Sequence, residues 1–78
     1  MNQTSLKMIL GDTGVSLLEN LPALPVKIEL LAYFTGIPVD CISIRVPFLE
    51  QMGFVEVTDG CIRITKEGAR TVELLLGE

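Results

Sequence analysis

TGIPVDCISIRVPFLEQMGFVEV, residues 35–57, is typical of a turn, an amphipathic helix and the start of a strand. Gly36 can adopt the left-handed conformation that often ends a helix, and Pro38 fits the first turn of the next helix. The helix is predicted over residues 38–52, where one apolar seam contains Val39, Ile42, Val46 and Leu49. Pro47 lies well inside this helix and is expected to kink or split it, because proline lacks a backbone N–H.

The side of the predicted helix opposite to the apolar seam is the candidate interaction face. Its residues are Asp40, Ser43, Ile44, Pro47, Glu50 and Gln51. A helix that reads DNA bases usually presents arginine, lysine, asparagine or glutamine. This face offers Ser43 and Gln51 beside two carboxylates, which oppose the approach of phosphates by about 1 kcal/mol each.

The next segment, FVEVTDGCIRIT at residues 54–65, predicts a β-hairpin with a two-residue turn. Asp59-Gly60 suits a type I′ turn, in which both central residues have positive φ. The expected register pairs Val55 with Ile64, Glu56 with Arg63 and Val57 with Ile62. The four aliphatic residues then share one face, which we expect to be the core face, while the ion pair lies on the other.

Further helices are predicted on both sides of this helix and hairpin. Residues 15–21 and 26–35 have apolar residues at helical spacing, and the second of them has a stripe of Ile28, Leu31 and Ala32. Thr65 is expected to cap a last helix, with a stripe of Ala69, Val72, Leu75 and Leu76. Residues 1–14 are interpreted as an added helix or arm of a single domain, residues 1–78.

The order of these elements, together with several short motifs, resembles the winged-helix regulators of the MarR and PadR families. The similar positions are Leu31-Ala32, Thr35-Gly36-Ile37, Leu49-Glu50, Gly53-Phe54-Val55 and the segment ITKEGARTVELL at residues 64–75. The resemblance covers about residues 15–76 and implies a winged helix-turn-helix, a mainly α fold with a small β-hairpin (α+β). It also implies that the third helix faces the DNA major groove. The residues then placed for phosphate contacts are Lys27, Arg45, Lys66 and Arg70.

The charge of the chain argues against strong DNA binding. The chain has six basic and ten acidic residues, which give a net charge of −4 and a pI near 4.6. DNA-binding domains gain most of their affinity from basic residues on phosphates. The predicted wing, Asp59-Gly60, is shorter than the wing of the DNA-binding relatives, and its charge is negative where theirs is positive. We therefore expect a regulatory module that works mainly through protein contacts, with direct sequence-specific DNA binding as the alternative.

The apolar content of the chain favours a dimer. Apolar residues make up 49% of the chain, more than a domain of this size can bury. Some of them are therefore expected at a subunit or partner interface. The candidates for a homodimer interface are Leu6, Met8, Ile9, Leu74, Leu75 and Leu76.

Other classes of function lack the residues they need. The chain has no histidine, no glycine-rich phosphate loop and no metal-binding cysteine motif, so we expect no enzyme, no cofactor and no metal. Cys41 and Cys61 are expected to be reduced thiols packed as small apolar side chains. No apolar run approaches the length of a membrane span, and a cytoplasmic location is expected.

Overall fold

The computed structural model describes residues 3–77 and shows a winged helix-turn-helix of the α+β class. Its elements in chain order are α1 (Gln3–Asn20), β1 (Val26–Lys27), α2 (Ile28–Thr35), α3 (Val39–Gln51), β2 (Val55–Thr58), β3 (Cys61–Ile64) and α4 (Lys66–Leu76). The helices and the sheet enclose one apolar core. Its largest fully buried side chains are Leu10, Leu17, Leu18, Leu31, Ile42, Leu49 and Ile62.

The N-terminal segment is helical and is joined to the next helical segment at a sharp break. Gly11 has φ 71° and ψ 170°, a conformation that is essentially restricted to glycine. The segment predicted as an added helix or arm is therefore a helix from Gln3 onward, and its first two residues lie outside the described ones. A side chain at Gly11 would come within 3.9 Å of Nη1 of Arg45, so the break in α1 faces α3.

The turn between α2 and α3 has the predicted conformation. Gly36 has φ 74°, and its N–H donates to the carbonyl of Ala32. Thr35 Oγ1 accepts from the N–H of Ile37 at 3.1 Å and donates to the carbonyl of Leu31 at 2.8 Å. The two helices are bent by 115° relative to each other, within the range of helix-turn-helix units.

Two predictions about these helices need correction. The helix predicted to begin at residue 26 begins at Ile28, because Val26 and Lys27 pair with Ile62 and Cys61 as a short antiparallel strand. Pro47 does not split α3, which continues to Gln51. Ser43 and Pro47 are both exposed, so water can reach the Ser43 carbonyl that has lost its helical donor.

The hairpin forms in the predicted register. Asp59 and Gly60 have φ of 53° and 77°, as a type I′ turn requires. The pairs are Val55 with Ile64, Glu56 with Arg63, Val57 with Ile62 and Thr58 with Cys61. Because β1 adds to the other edge of β3, the sheet has the order β1-β3-β2.

Helix α4 begins as predicted but buries a different face. Thr65 Oγ1 accepts from the N–H of Gly68 at 3.0 Å and donates to the carbonyl of Gly53 at 2.6 Å. The buried residues of α4 are Gly68, Thr71 and Leu75, while Val72 is half-buried. The predicted stripe was wrong for Ala69 and Leu76, which are exposed, because Gly68 lets the helix approach the backbone at Phe54.

No single helix within residues 3–77 has the length and apolar composition that crossing a membrane requires.

Candidate protein-interaction surface

The outward face of α3 is fully presented to solvent. Its predicted members, Asp40, Ser43, Ile44, Pro47 and Gln51, are all exposed, and so is Glu50. Ile44 has 74% of its surface exposed, whereas Ile42, two residues away, has none. This contrast follows from the seam of Ile42, Val46 and Leu49, which fixes the rotation of α3 against the core.

The chemistry of this face is apolar and acidic. Ile44 and Pro47 supply exposed apolar surface. Phe48 adds a side chain that is 37% exposed. Asp40 and Glu50 are the charged residues on the same side of the helix. Such a face fits apolar side chains with basic neighbours better than it fits phosphates.

The four basic residues predicted for phosphate contacts are exposed but lie on three different elements. Lys27 is in β1, Arg45 is in α3, and Lys66 and Arg70 share one side of α4, one turn apart. The Arg45 guanidinium lies beside Gly11 of α1, which directs it away from the outward face. Arg70 pairs weakly with Glu67 at 3.4 Å.

The wing is as short as the sequence predicts. The turn between β2 and β3 consists of Asp59 and Gly60. The only basic residue of the two strands, Arg63, donates to Oε2 of Glu56 at 2.7 Å. The hairpin therefore offers no unpaired cation to a nucleic-acid groove.

The residues predicted for a dimer interface divide into an exposed group and a buried one. Met8, Ile9, Leu74 and Leu76 are 79%, 44%, 53% and 63% exposed. Leu6 is half-buried. The prediction of Leu75 at the interface was wrong, because Leu75 is only 3% exposed and belongs to the core of its own chain. By their spacing on α4, Leu74 and Leu76 flank the buried face of that helix on its two sides.

A second apolar surface on α2 escaped the sequence analysis. Leu30, Tyr33 and Phe34 lie on the outward side of this helix and are 44%, 81% and 70% exposed. Their spacing of i, i+3 and i+4 is a second helical stripe. The sequence contains this stripe beside the one that includes Leu31, but it does not indicate which of the two is exposed.

Some other polar side chains of residues 3–77 line a pocket, and two further side chains are thiols. A pocket of about 320 Å³ lies between α1 and α4, with Lys7, Asp12 and Glu19 among its lining residues. Within residues 3–77, no three histidine, cysteine, aspartate or glutamate side chains are placed to hold a metal ion. Cys41 and Cys61 are free thiols. Cys41 is exposed on α3, so the prediction that it packs in the interior was wrong.

Comparison with protein-family models, with curated proteins and with solved structures found no match to this chain.

Proposed function

We propose that this protein is a non-enzymatic winged-helix regulatory module that acts mainly through protein–protein contacts as a homodimer. Direct reading of DNA is weak or absent in this proposal. The observation that carries it is the exposed face of α3, where Ile44 is 74% exposed and the neighbouring charges are Asp40 and Glu50. A fold alone does not define a function, so the proposal is supported by the chemistry of this face and not by the fold.

In a DNA complex, α3 would lie in the major groove with its outward face toward the bases. Asp40 and Glu50 would then approach phosphates, and the isoleucine and proline between them would meet base edges without hydrogen bonds to offer. Buried polar edges that lose water without a partner are costly. The apolar surface on this face is better matched by the side chains of another protein.

Charge is distributed unevenly along the chain, and this also supports the proposal. Residues 28–62 contain five carboxylates and one arginine, a net charge of −4. Residues 1–27 contain two charges of each sign and residues 63–78 contain three of each sign, so both segments are neutral. With Arg63 of β3 included, the helix-turn-helix and wing still carry a net charge of −3, at the place where a DNA reader needs cations.

We expect no measurable complex with duplex DNA. In a fluorescence titration at low salt, random-sequence duplexes and duplexes from the promoter of the protein's own gene should give dissociation constants weaker than about 100 µM, above the usual non-specific range. As a matched control, the variant Asp40→Lys/Glu50→Lys should bind more tightly, because it replaces two carboxylates with cations. Micromolar binding by the natural protein, with log K falling steeply against log salt and with a clear preference for the promoter duplex over random sequence, would establish the DNA-reading alternative.

The dimer is proposed to form through the α1 and α4 side of the molecule. This side holds exposed Met8, Ile9 and Leu76, and the two segments that contain α1 and α4 carry balanced charges. A self-complementary interface can place each positive group of one copy near a negative group of the other. The neutral segments therefore suit self-association better than the acidic ones do.

Light scattering is expected to give twice the monomer mass at micromolar concentrations. The variant Met8→Ser/Leu76→Ser should lower the association constant of the dimer at least about tenfold, because it removes two apolar side chains from the interface. Tyr33→Ser/Phe34→Ser on α2 serves as the control and should leave the mass unchanged. A natural protein that stays monomeric at about 100 µM would refute the dimer, because specific dimers of standard interface size are stable there.

A further inference from the structure

Helix α1 is broken at a single residue, Gly11, whose φ of 71° and ψ of 170° are not helical. This region of backbone conformation is essentially restricted to glycine. Space does not require a glycine there, because the nearest described atoms to an added Cβ would be the guanidinium nitrogens of exposed Arg45, at 3.9 and 4.0 Å. Gly11 is therefore needed for its backbone conformation and not for its small size.

The segment before the break, residues 3–10, packs on the core, and we call it the N-terminal arm. Leu10 is 1% exposed, and half-buried Leu6 packs against the same core cluster. A Cβ atom added at Gly14 would lie 3.2 Å from Cβ of Leu10, whereas residues four apart on a regular helix have Cβ atoms about 5–6 Å apart. The break thus folds the N-terminal arm back and brings Leu10 close to the following helical turn.

The sequence of α1 also suits a straight helix. At about 100° per residue, Leu6, Leu10 and Leu17 would lie within about 40° of one another on a straight α1. Gly11 is the residue of Gln3–Asn20 with non-helical backbone angles, and glycine adopts positive and negative φ about equally readily. A straight α1 is therefore open to this chain, with Gly11 as the hinge.

Straightening α1 would remove Leu10 from its own core and leave an apolar site there. An exposed leucine and an exposed apolar site are both unfavourable in water. The segment that fits the site is the N-terminal arm of a second copy, because it has the same sequence as the arm that left. The arm also lies on the α1/α4 side, since Lys7 lines the same pocket as Leu75 and Leu76.

We propose that the homodimer forms by exchange of the N-terminal arms, with Gly11 as the hinge. This inference rests on the homodimer of the proposed function and adds how the two copies are joined. In the dimer α1 is straight in each copy, and Leu10 of each copy fills the site that Leu10 of the other has left. The bent α1 is the form of the monomer.

Isotope-filtered NOE spectra of the full chain test the exchange directly. An equal mixture of ¹³C-labelled and unlabelled protein is unfolded, refolded and concentrated until it is dimeric. We expect NOEs from the methyl groups of Leu10 to Gly14 that connect a labelled chain with an unlabelled one. A dimer in which Leu10 contacts the core of its own chain only would overturn the exchange and leave the homodimer itself in place.

The variant Gly11→Ala tests the hinge. Alanine disfavours the bent backbone and favours the helical one, and both copies contribute, so the association constant should rise at least about a hundredfold. Gly36→Ala is the matched control, because Gly36 has φ 74° and no described atom within 4 Å of an added Cβ. It strains the end of α2 equally in monomer and dimer and should change the association constant by less than about threefold.

Sedimentation over a concentration series measures both association constants, and circular dichroism verifies that the variants are folded. An unchanged or lowered constant for Gly11→Ala, or an equal rise for Gly36→Ala, contradicts a hinge at Gly11. If Gly11→Ala does not fold, the NOE spectra of the natural protein decide alone. A natural protein that stays monomeric refutes the homodimer together with the exchange, whereas an unexchanged dimer refutes the exchange only.

Discussion

Replacing Gly68 with alanine is expected to destabilise the protein by about 3 kcal/mol, through overpacking at the contact between α4 and the chain entering β2. A Cβ atom at Gly68 would overlap the carbonyl oxygen of Phe54 and lie 2.7 Å from Cγ1 of Ile64. The same carbonyl accepts the N–H of Thr65 at 3.0 Å, so it cannot move away without loss of that hydrogen bond. A domain of this length has a stability of only about 4–12 kcal/mol, so the loss is a large part of the total.

Urea denaturation followed by circular dichroism measures this effect, and the exposed neighbour Ala69 provides the control. Helix propensity alone would make Gly68→Ala stabilising by about 1 kcal/mol and Ala69→Gly destabilising by the same amount. We expect Ala69→Gly to destabilise the protein by the amount that helix propensity predicts, and Gly68→Ala to destabilise it although propensity predicts the opposite. A Gly68→Ala variant at least as stable as the natural protein would show that the close approach of α4 does not constrain the fold.

The same close approach explains why the face of α4 could not be predicted from its periodicity. The apolar pattern favours a stripe through Ala69 and Leu76, but the buried face runs through Gly68, Thr71 and Leu75. Glycine adds nothing to an apolar pattern, although its missing side chain is what admits the backbone at Phe54, just before β2. The sequence assigned Leu75 and Leu76 both to the stripe and to the interface, and the structure separates them, with Leu75 in the core and Leu76 exposed.

Elements whose structure depends on residues close in the sequence were predicted correctly. The register of the hairpin follows from the Asp59-Gly60 turn, and the end of α2 follows from Gly36. The strand β1 has only two residues and no periodicity, and it exists because β3 has a free edge beside it. Tertiary contacts of that kind leave no pattern in the sequence of the segment itself.

The exposed face of α3 could be predicted from the sequence, because the apolar seam of a single helix determines which of its residues face outward. The seam of α3 places Asp40, Ile44 and Gln51 outside, as the sequence indicates. The charge distribution between segments was also present in the sequence. The sequence could not show that Leu30, Tyr33 and Phe34 of α2 are exposed, because either side of a helix that is apolar on both sides can be the buried one until its neighbours are known.

Replacing Ile42 with alanine is expected to destabilise the protein by about 3–4 kcal/mol, since a fully buried isoleucine leaves a cavity when it is truncated. Ile42 has no exposed surface and lies in the core that α1, α2 and the sheet share. The loss would be a large part of the total stability of a small domain, so thermal and urea denaturation should both show a sharply lowered midpoint.

Ile44→Ala makes the same chemical change two residues along the helix and serves as the matched control. Ile44 is 74% exposed, so its truncation should alter the free energy of unfolding by less than about 0.5 kcal/mol. In the proposed function, this variant keeps the fold and loses affinity for a partner that binds the α3 face. If Ile44→Ala cost as much stability as Ile42→Ala, the outward face of α3 would have to be buried in the protein's own assembly. The homodimer would then have to use α3, and the division between a neutral self-association side and an acidic partner side would be wrong.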